Sequence, residues 1–354
     1  MNPPTHLYFN TTNRCNYRCT YCTFHSPIWK PELGAPGFTL GLEDFRRELD
    51  LLEEGAGDHR FEQITFTGMG EPMLNPDILG LIALVKERGY TCALISNFSR
   101  LLTPHIDALM DLGLDGLYTN LDSGVASHYE ELRRGAKFET TLANIRAAAR
   151  TAARKNPGLN FEVHNLVTPE SVDLIPGFID TVAEAGVRKV VIKTFVNFLD
   201  VDAGDRFFTH LDAQRDFFAA VARAKEYGRE RGVRVNAPAY AEVLSGAREY
   251  RADDPDLRCG IGSGLHLNFG PLELGEEDLL GNVLHCCPVM RREEHRSYGN
   301  ILRDPLERIL AHPARVRLLE GNARGEIVHP ECRSCEYCLL GLHELHAAPQ
   351  EAAS

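Results

Sequence analysis

The strongest constraint on the fold is an alternation of strand-like and helix-like segments from residue 5 to about residue 235. Several strand-like segments are almost continuously apolar, which is typical of strands buried on both faces. The predicted strands are Leu7–Thr11, Ile64–Thr67, Thr91–Ser96, Gly116–Leu121, Phe161–Val167 and Lys189–Phe195. The predicted helices are Gly41–Glu53, Pro76–Arg88, Pro104–Leu112, Thr140–Arg154, Val172–Ala185 and Ala213–Arg231. Six such units predict an α/β fold, an open and partial (β/α)6 TIM-like barrel with its helices outside.

Short polar or glycine-rich motifs follow four of the predicted strands. A cysteine-rich loop follows the first strand, and Gly68-Met69-Gly70-Glu71 follows the second. Ser96-Asn97 ends the third strand and Asp122-Ser123 ends the fourth. Because active sites of such sheets lie beyond the carboxyl ends of the strands, these four motifs predict one functional site.

The loop after the first strand contains Cys15, Cys19 and Cys22, within eight residues. Soft thiolates at this spacing favour a metal. Three thiolates are one short of a closed tetrahedral site, so the loop suits a four-iron cluster with one iron open to another ligand. Zinc is the alternative, with His25 as a fourth ligand. A disulfide is not expected, because the first residues have no signal-peptide pattern.

Composition limits the class of partner. The chain has 354 residues, is 44% hydrophobic and has a net charge of -12. The negative charge argues against binding to a nucleic-acid backbone. No apolar run approaches the roughly 20 residues of a membrane span. We therefore expect a cytoplasmic protein with neither a nucleic-acid nor a membrane partner.

A second group of cysteines follows the point, near residue 236, where the strand–helix pattern ends. This predicts a core domain over residues 1–235, a cysteine-rich domain over 236–346 and a disordered tail over 347–354. Clustered cysteines in a cytosolic chain favour a metal, and zinc is an alternative here too. The cysteines of this group are Cys259, Cys286, Cys287, Cys332, Cys335 and Cys338.

The CxxxCxxC loop, with Tyr21 before its last cysteine, resembles the signature of radical S-adenosylmethionine (SAM) enzymes. The resemblance implies that Cys15, Cys19 and Cys22 hold a 4Fe-4S cluster whose fourth iron binds SAM. Reductive cleavage of SAM would then give a 5'-deoxyadenosyl radical that abstracts hydrogen from a substrate. The electron donor implied is a flavodoxin or a ferredoxin.

The same resemblance assigns further positions to SAM binding. Glu71 would receive the SAM ammonium group, and Arg134 is a candidate for the SAM carboxylate, since arginine forks match carboxylates; a surface charge at a helix end is the alternative for Arg134. The cofactor-binding residues implied are Gly68, Met69, Gly70, Glu71, Ser96, Asn97, Asp122 and Arg134.

The second cysteine group resembles the SPASM or Twitch auxiliary-cluster extension. Its six cysteines are too few for two fully ligated clusters, so one auxiliary 4Fe-4S cluster is predicted. The ligands implied are Cys259, Cys286, Cys332 and Cys335, although Cys287 or Cys338 could replace a neighbour. If spare, Cys287 and Cys338 are either hydrogen-atom donors to a substrate radical or buried small hydrophobic residues.

The layout, one partial barrel and one auxiliary cluster, resembles aminocyclitol dehydrogenases and aminoglycoside epimerases. The resemblance implies oxidation or epimerisation of a polyol or aminosugar in antibiotic biosynthesis. The acidic net charge suits a cationic substrate of this kind. The alternative is a peptide maturase that modifies a ribosomally made peptide. His164 and Lys193 lie near strand ends as candidates for a general base, without a committed role.

Overall fold

Eight parallel strands lie side by side in one sheet in the computed structural model of the chain. The structure describes residues 4–22, 24–27, 37–194, 215–237, 264–269, 279–284, 297–324, 326 and 328. In chain order the described strands are β1 (His6–Asn10), β2 (Arg18–Cys19), β3 (Gln63–Thr67), β4 (Thr91–Ile95), β5 (Gly116–Asn120), β6 (Arg133–Arg134), β7 (Asn160–Val167), β8 (Lys189–Thr194), β9 (Arg234–Asn236), β10 (Gly264–Leu267) and β11 (Val283–Leu284).

The order across the main sheet is β11-β10-β1-β3-β4-β5-β7-β8-β9. All neighbours are parallel except β10 and β11, which are antiparallel. The short strands β2 and β6 form a separate antiparallel pair.

Helices connect and cover the strands. They are α1 (Leu42–Ala56), α2 (Ile78–Glu87), α3 (Thr103–Asp111), α4 (Ala126–Leu132), α5 (Phe138–Lys155), α6 (Ile175–Glu184), α7 (Arg215–Glu230), α8 (Leu306–Leu310) and α9 (Pro313–Ala323). Two 3-10 helices, Pro72–Leu74 and Pro169–Leu174, follow β3 and β7. The predicted partial TIM-like α/β barrel is confirmed, and each of the six predicted strand–helix units is present. Among the described residues no helix is both long and apolar enough to cross a membrane.

The sheet continues past the strand–helix pattern that predicted it. β10 pairs in parallel with β1, with Tyr8 opposite His266, so residues far apart in sequence are neighbours in the sheet. Local periodicity missed β10 because it has only four residues. The proposed domain boundary at residue 235 stays a prediction, but the sheet itself does not end there.

The two faces of the sheet differ in polarity. Alternate residues such as Leu7, Phe66 and Leu94 pack in one apolar core with helix residues such as Phe45 and Val85. Successive strand side chains point to opposite faces, so the residues between them lie on the inner face of the barrel. These inner residues are largely polar and include Tyr8, Thr65, Tyr118, Glu162, His164, Lys189, Lys193 and His266.

Candidate functional site

The loop with the three cysteines starts after β1 and is held by pairing with a distant segment. Cys19 lies opposite Arg133 in the β2–β6 pair. The Thr20 amide donates to the carbonyl oxygen of Leu132 at 2.8 Å. Cys15, Cys19 and Cys22 are all partly buried free thiols. The fold therefore holds all three thiols in one loop beside the carboxyl end of β1.

Backbone amides already point at two of the sulfur atoms. The Tyr17 amide lies 3.4 Å from Cys15 Sγ, and the amides of Phe24 and His25 lie 3.4 Å from Cys22 Sγ. Such donors favour a thiolate. Burial nevertheless raises the pKa of Cys15 to about 12 and raises the pKa values of the other two thiols.

The donor set fits an iron–sulfur cluster better than a single ion. Buried thiols become thiolates when a cation compensates the charge, and a bound metal does so. Within the described part of the chain, no three His, Cys, Asp or Glu side chains converge closely enough to hold one ion. In a cluster each thiolate binds a different iron, so wider spacing is expected. His25, the candidate zinc ligand, has its Nε2 2.9 Å from the Met69 carbonyl oxygen instead.

The Gly68–Glu71 loop packs directly on the cysteine loop. The Glu71 amide donates to the Arg14 carbonyl at 2.8 Å. A Cβ atom on Gly70 would overlap that carbonyl and lie 2.6 Å from the carbonyl of Thr12. Gly68 has a φ of 140°, which side chains rarely adopt. Gly70 is therefore required for the close approach of the two loops, and Gly68 for the backbone conformation of its own loop beside Asn10.

Glu71 joins the ends of β3 and β4. Its Oε1 accepts from the Met73 amide at 3.0 Å and from the Ser96 hydroxyl at 2.7 Å. Its Oε2 accepts from the Asn97 amide at 2.6 Å. Burial raises the pKa of Glu71. Because the carboxylate accepts these three hydrogen bonds from the protein, it fixes the backbone at Ser96 and Asn97. Its role toward SAM stays a prediction.

Asp122 is fully buried and organises a second polar group. Its Oδ2 accepts from Arg133 Nε at 2.6 Å and from the Tyr21 hydroxyl at 2.8 Å. Its Oδ1 accepts from the Leu166 amide at 3.1 Å. The Arg133 guanidinium also lies over the Tyr21 ring, 5.4 Å from the centroid. Asp122 thus links the cysteine loop to β6 and β7.

The structure brings most predicted residues together but separates Arg134 from them. Arg134 is exposed, whereas its neighbour Arg133 is buried beside Cys19. Sequence reasoning missed Arg133 because adjacent strand residues point to opposite sides, and the register that selects one depends on β2. The role proposed for Arg134 toward the SAM carboxylate stays a prediction.

All six cysteines of the second group lie outside the described residues. The auxiliary ligands Cys259, Cys286, Cys332 and Cys335 therefore stay predictions, as do Cys287 and Cys338 as hydrogen donors. Cys92, on β4, is buried in the apolar core.

Comparison with known families identifies the loop that contains Cys15, Cys19 and Cys22. Residues 9–156, which include the three cysteines, Glu71, Asp122 and Arg133, match the model of the radical SAM superfamily. Residues 9–156 belong to the radical SAM superfamily. The radical SAM domain implies a 4Fe-4S cluster and SAM as cofactors, and the three thiols described above fit the cluster.

The names of the curated relatives of this chain state different activities. The chain is 28% identical over 234 residues to GTP 3',8-cyclase of Rhodococcus opacus, covering 63% of this chain and 61% of that protein. It is 27% identical over 189 residues to PqqA peptide cyclase of Methylorubrum extorquens, covering 53% and 45%. A cofactor-modifying protein for tungsten-containing aldehyde ferredoxin oxidoreductase, from Pyrococcus furiosus, is 29% identical over 117 residues, covering 33% and 30%. The chain spans less than two thirds of each of these relatives.

Solved structures share the fold of this chain. SuiB of Streptococcus suis, bound to its precursor peptide SuiA, aligns with a TM-score of 0.65 and 14% identity, covering 97% of this chain and 74% of SuiB. Native anSMEcpe with bound AdoMet aligns with a TM-score of 0.67 and 14% identity, covering 95% of this chain and 88% of anSMEcpe. At this identity the likeness establishes the fold alone.

Proposed function

We propose that this radical SAM enzyme takes a hydrogen atom from a peptide substrate that presents a carboxylate to the inner face of the barrel. The cluster and SAM, when bound, supply the radical that abstracts the hydrogen. The observation that carries the substrate class is an excess of positive charge on the inner face at β7 and β8. A flavodoxin or ferredoxin remains our proposal for the electron donor.

Four inner-face groups form a chain of contacts along β7 and β8. Lys189 Nζ lies 2.5 Å from Glu162 Oε1. Glu162 Oε2 lies 3.4 Å from His164 Nε2. His164 Nδ1 in turn lies 3.4 Å from Lys193 Nζ. Lys193 sits at the carboxyl-end half of β8, opposite Leu166, whose amide donates to Asp122. This row of contacts therefore ends on the side of the sheet where Asp122 links to the cysteine loop.

Among the four groups of this row of contacts, the positive charge of Lys193 has no counter-charge. An ammonium group only donates, so His164 Nδ1 must accept from Lys193 and Nε2–H must point to Glu162. Burial lowers the pKa of His164, which keeps the ring neutral. Glu162 is already paired with Lys189, and within the described residues no carboxylate lies at ion-pair distance from Lys193. An anionic group of a substrate would complete the arrangement.

A peptide meets this requirement, and a peptide is named for one curated relative and for one solved structure of the same fold. Every peptide has a carboxylate at its end, and acidic side chains supply more. One relative is a PqqA peptide cyclase, and the peptide-bound structure of SuiB shares the fold. These similarities support the choice of a peptide among carboxylate-bearing substrates.

A polyol or aminosugar is the second candidate. It is favoured by uncharged hydrogen-bonding groups on the inner face, such as Thr65, Tyr118 and Asn160. Dehydrogenation or epimerisation would follow, with Cys287 or Cys338 as hydrogen donor in the second case. The local positive charge at Lys193 opposes a cationic aminocyclitol, even though the whole chain is acidic.

The test is anaerobic turnover with SAM, dithionite and three substrate sets, read by mass spectrometry. The sets are peptides with free acidic groups, the same peptides amidated at every acid, and aminocyclitols. We expect product only from the acidic peptides. Lys193→Gln should lower that turnover by at least about tenfold, since one charged hydrogen bond is lost. Lys155→Gln, an exposed lysine paired with Asp107 and Asp111, is the matched control.

The outcomes separate the candidates. A two-dalton loss from an aminocyclitol, with no product from acidic peptides, would establish the second candidate. Equal turnover of acidic and amidated peptides would contradict the proposal that Lys193 binds a carboxylate of the substrate. If Lys193→Gln weakens SAM binding instead of substrate turnover, the lysine serves the SAM carboxylate and the substrate argument fails.

A further inference from the structure

Arg133 is the one guanidinium that contacts a cysteine sulfur among the described residues. Its Nη1 lies 3.9 Å from Cys19 Sγ, at the long end of the range for a hydrogen bond to sulfur. Arg133 and Cys19 are also opposite each other in the β2–β6 pair, so the backbone fixes this proximity. The contact is built into the fold and does not depend on a flexible surface side chain.

Two other side chains leave the guanidinium little freedom. Asp122 holds Nε at 2.6 Å, and its own carboxylate is tied to the Leu166 amide. The ring of Tyr21, two residues after Cys19, covers the guanidinium face. Side-chain exposure is 8% for Arg133 and 0% for Asp122, so solvent does not screen this charge. The positive charge is directed at one cysteine of the loop.

We propose that Arg133 is a positioning residue that stabilises the Cys19 ligand and raises the reduction potential of the cluster. Asp122 and Tyr21 fix its orientation. The reason is electrostatic: the reduced cluster carries one more negative charge, and hydrogen bonds or cations at the sulfurs favour that form. The proposal rests on the radical SAM assignment but not on the nature of the substrate.

Because Arg133 and Asp122 form an ion pair, the two single variants should shift the reduction potential in opposite directions. Arg133→Gln removes the cation and leaves Asp122 unpaired near the cluster, so reduction becomes harder. Asp122→Asn removes the counter-charge and leaves Arg133 unneutralised, so reduction becomes easier. The double variant removes both charges and returns the potential toward that of the parent protein. A purely structural role for the pair would damage the site in the same direction in both single variants.

The experiment is a redox titration of the reconstituted full chain without SAM, followed by electron paramagnetic resonance of the reduced cluster. Changing Cys259, Cys286, Cys287, Cys332, Cys335 and Cys338 to Ala in every sample leaves only the first cluster to observe. We expect Arg133→Gln to lower the midpoint potential by about 59 mV or more, the equivalent of a tenfold change for one electron. Asp122→Asn should raise it, and Arg133→Lys, which keeps the charge, should shift it less than Arg133→Gln.

Arg154→Gln is the control, because it removes an exposed charge in the last turn of α5, away from the cysteine loop, and should leave the potential unchanged. Shifts of the same sign in Arg133→Gln and Asp122→Asn would overturn the proposal. So would a shift in Arg133→Gln no larger than that of the control. If Arg133→Gln does not retain iron, the comparison of Arg133→Lys with Asp122→Asn carries the test. An unchanged potential in both of these would then overturn it.

Discussion

At the scale of single residues, the site depends on a backbone approach so close that a side chain would not fit between the two loops. Gly70 faces the carbonyls of Thr12 and Arg14, which belong to the turn that leads into Cys15. We expect Gly70→Ala to push the two loops apart and to destabilise the protein by about 1–3 kcal/mol, the usual cost of overpacking. Iron content after reconstitution should fall with it.

Urea denaturation and iron analysis measure both effects of Gly70→Ala. Gly177→Ala is the matched control, because Gly177 lies within α6 and an added Cβ would meet nothing within 4 Å. That change should stabilise the chain by up to about 1 kcal/mol, since Ala is the better helix former. Normal iron loading in Gly70→Ala would contradict the close-packing argument.

Sequence can propose site residues where a motif is local, but it does not reveal contacts between residues that are distant in the chain. Cys15, Cys19 and Glu71 were predicted because each sits in a short pattern after a strand. The pattern Arg133-Arg134 did not reveal which arginine enters the site. That choice follows from the register opposite Cys19, 114 residues away, which no local period encodes.

At the scale of elements, a chain of buried amides joins β1, α1 and β10. Asn10 accepts from the Met69 amide at 2.9 Å and donates to the Asn268 carbonyl at 2.9 Å. Asn268 Nδ2 donates to Glu48 Oε2 at 3.0 Å. The sequence could not predict this join, because Asn268 and its partners are separated by 220 and 258 residues. The apolar periods that predicted the six strand–helix units are local, whereas these amide contacts are not.

Glu48 makes the stability of this hydrogen-bonded connection depend on pH. Burial raises its pKa to about 8, with Asp44 adding to the effect and hydrogen bonds from Asn268 and Gly281 opposing it. The unfolded carboxyl titrates near its ordinary value of 4.5. Between these values the folded chain binds more protons, so the contribution of Glu48 to stability is largest below the lower value. That contribution falls as the pH rises toward 8.

We expect Glu48→Gln to remove this decline, because the amide stays neutral while still accepting from Asn268. Urea denaturation of parent and variant at several values between pH 5 and 8.5 measures the difference. Glu62→Gln, an exposed residue before β3, is the control and should keep the parent slope. A variant whose stability falls with pH as steeply as the parent would contradict the assignment of the slope to Glu48.

At the scale of the whole molecule, the net charge and the local charge of the site favour different substrates. The chain carries -12 overall, which favoured a cationic substrate in the sequence analysis. The inner face at β7 and β8 instead leaves Lys193 beside a neutral His164. Acidic groups can lie anywhere on a surface, whereas a reacting group meets only the few charges that the strands direct inward. Our proposal of a carboxylate-bearing substrate therefore relies on the local charge and not on the total.

At the scale of the whole molecule, the two cysteine groups predict two clusters. Changing Cys15, Cys19 and Cys22 together to Ala removes the first ligand set and leaves the second group intact. At four irons per cluster, iron should fall from about eight to about four per chain. Formation of 5'-deoxyadenosine from SAM should stop, because no cluster with an open iron remains. Cys92→Ala is the control, since this buried core residue should affect neither result. SAM cleavage that persists in the triple variant would refute the assignment of the loop, and loss of all iron would show that one cluster is the full complement.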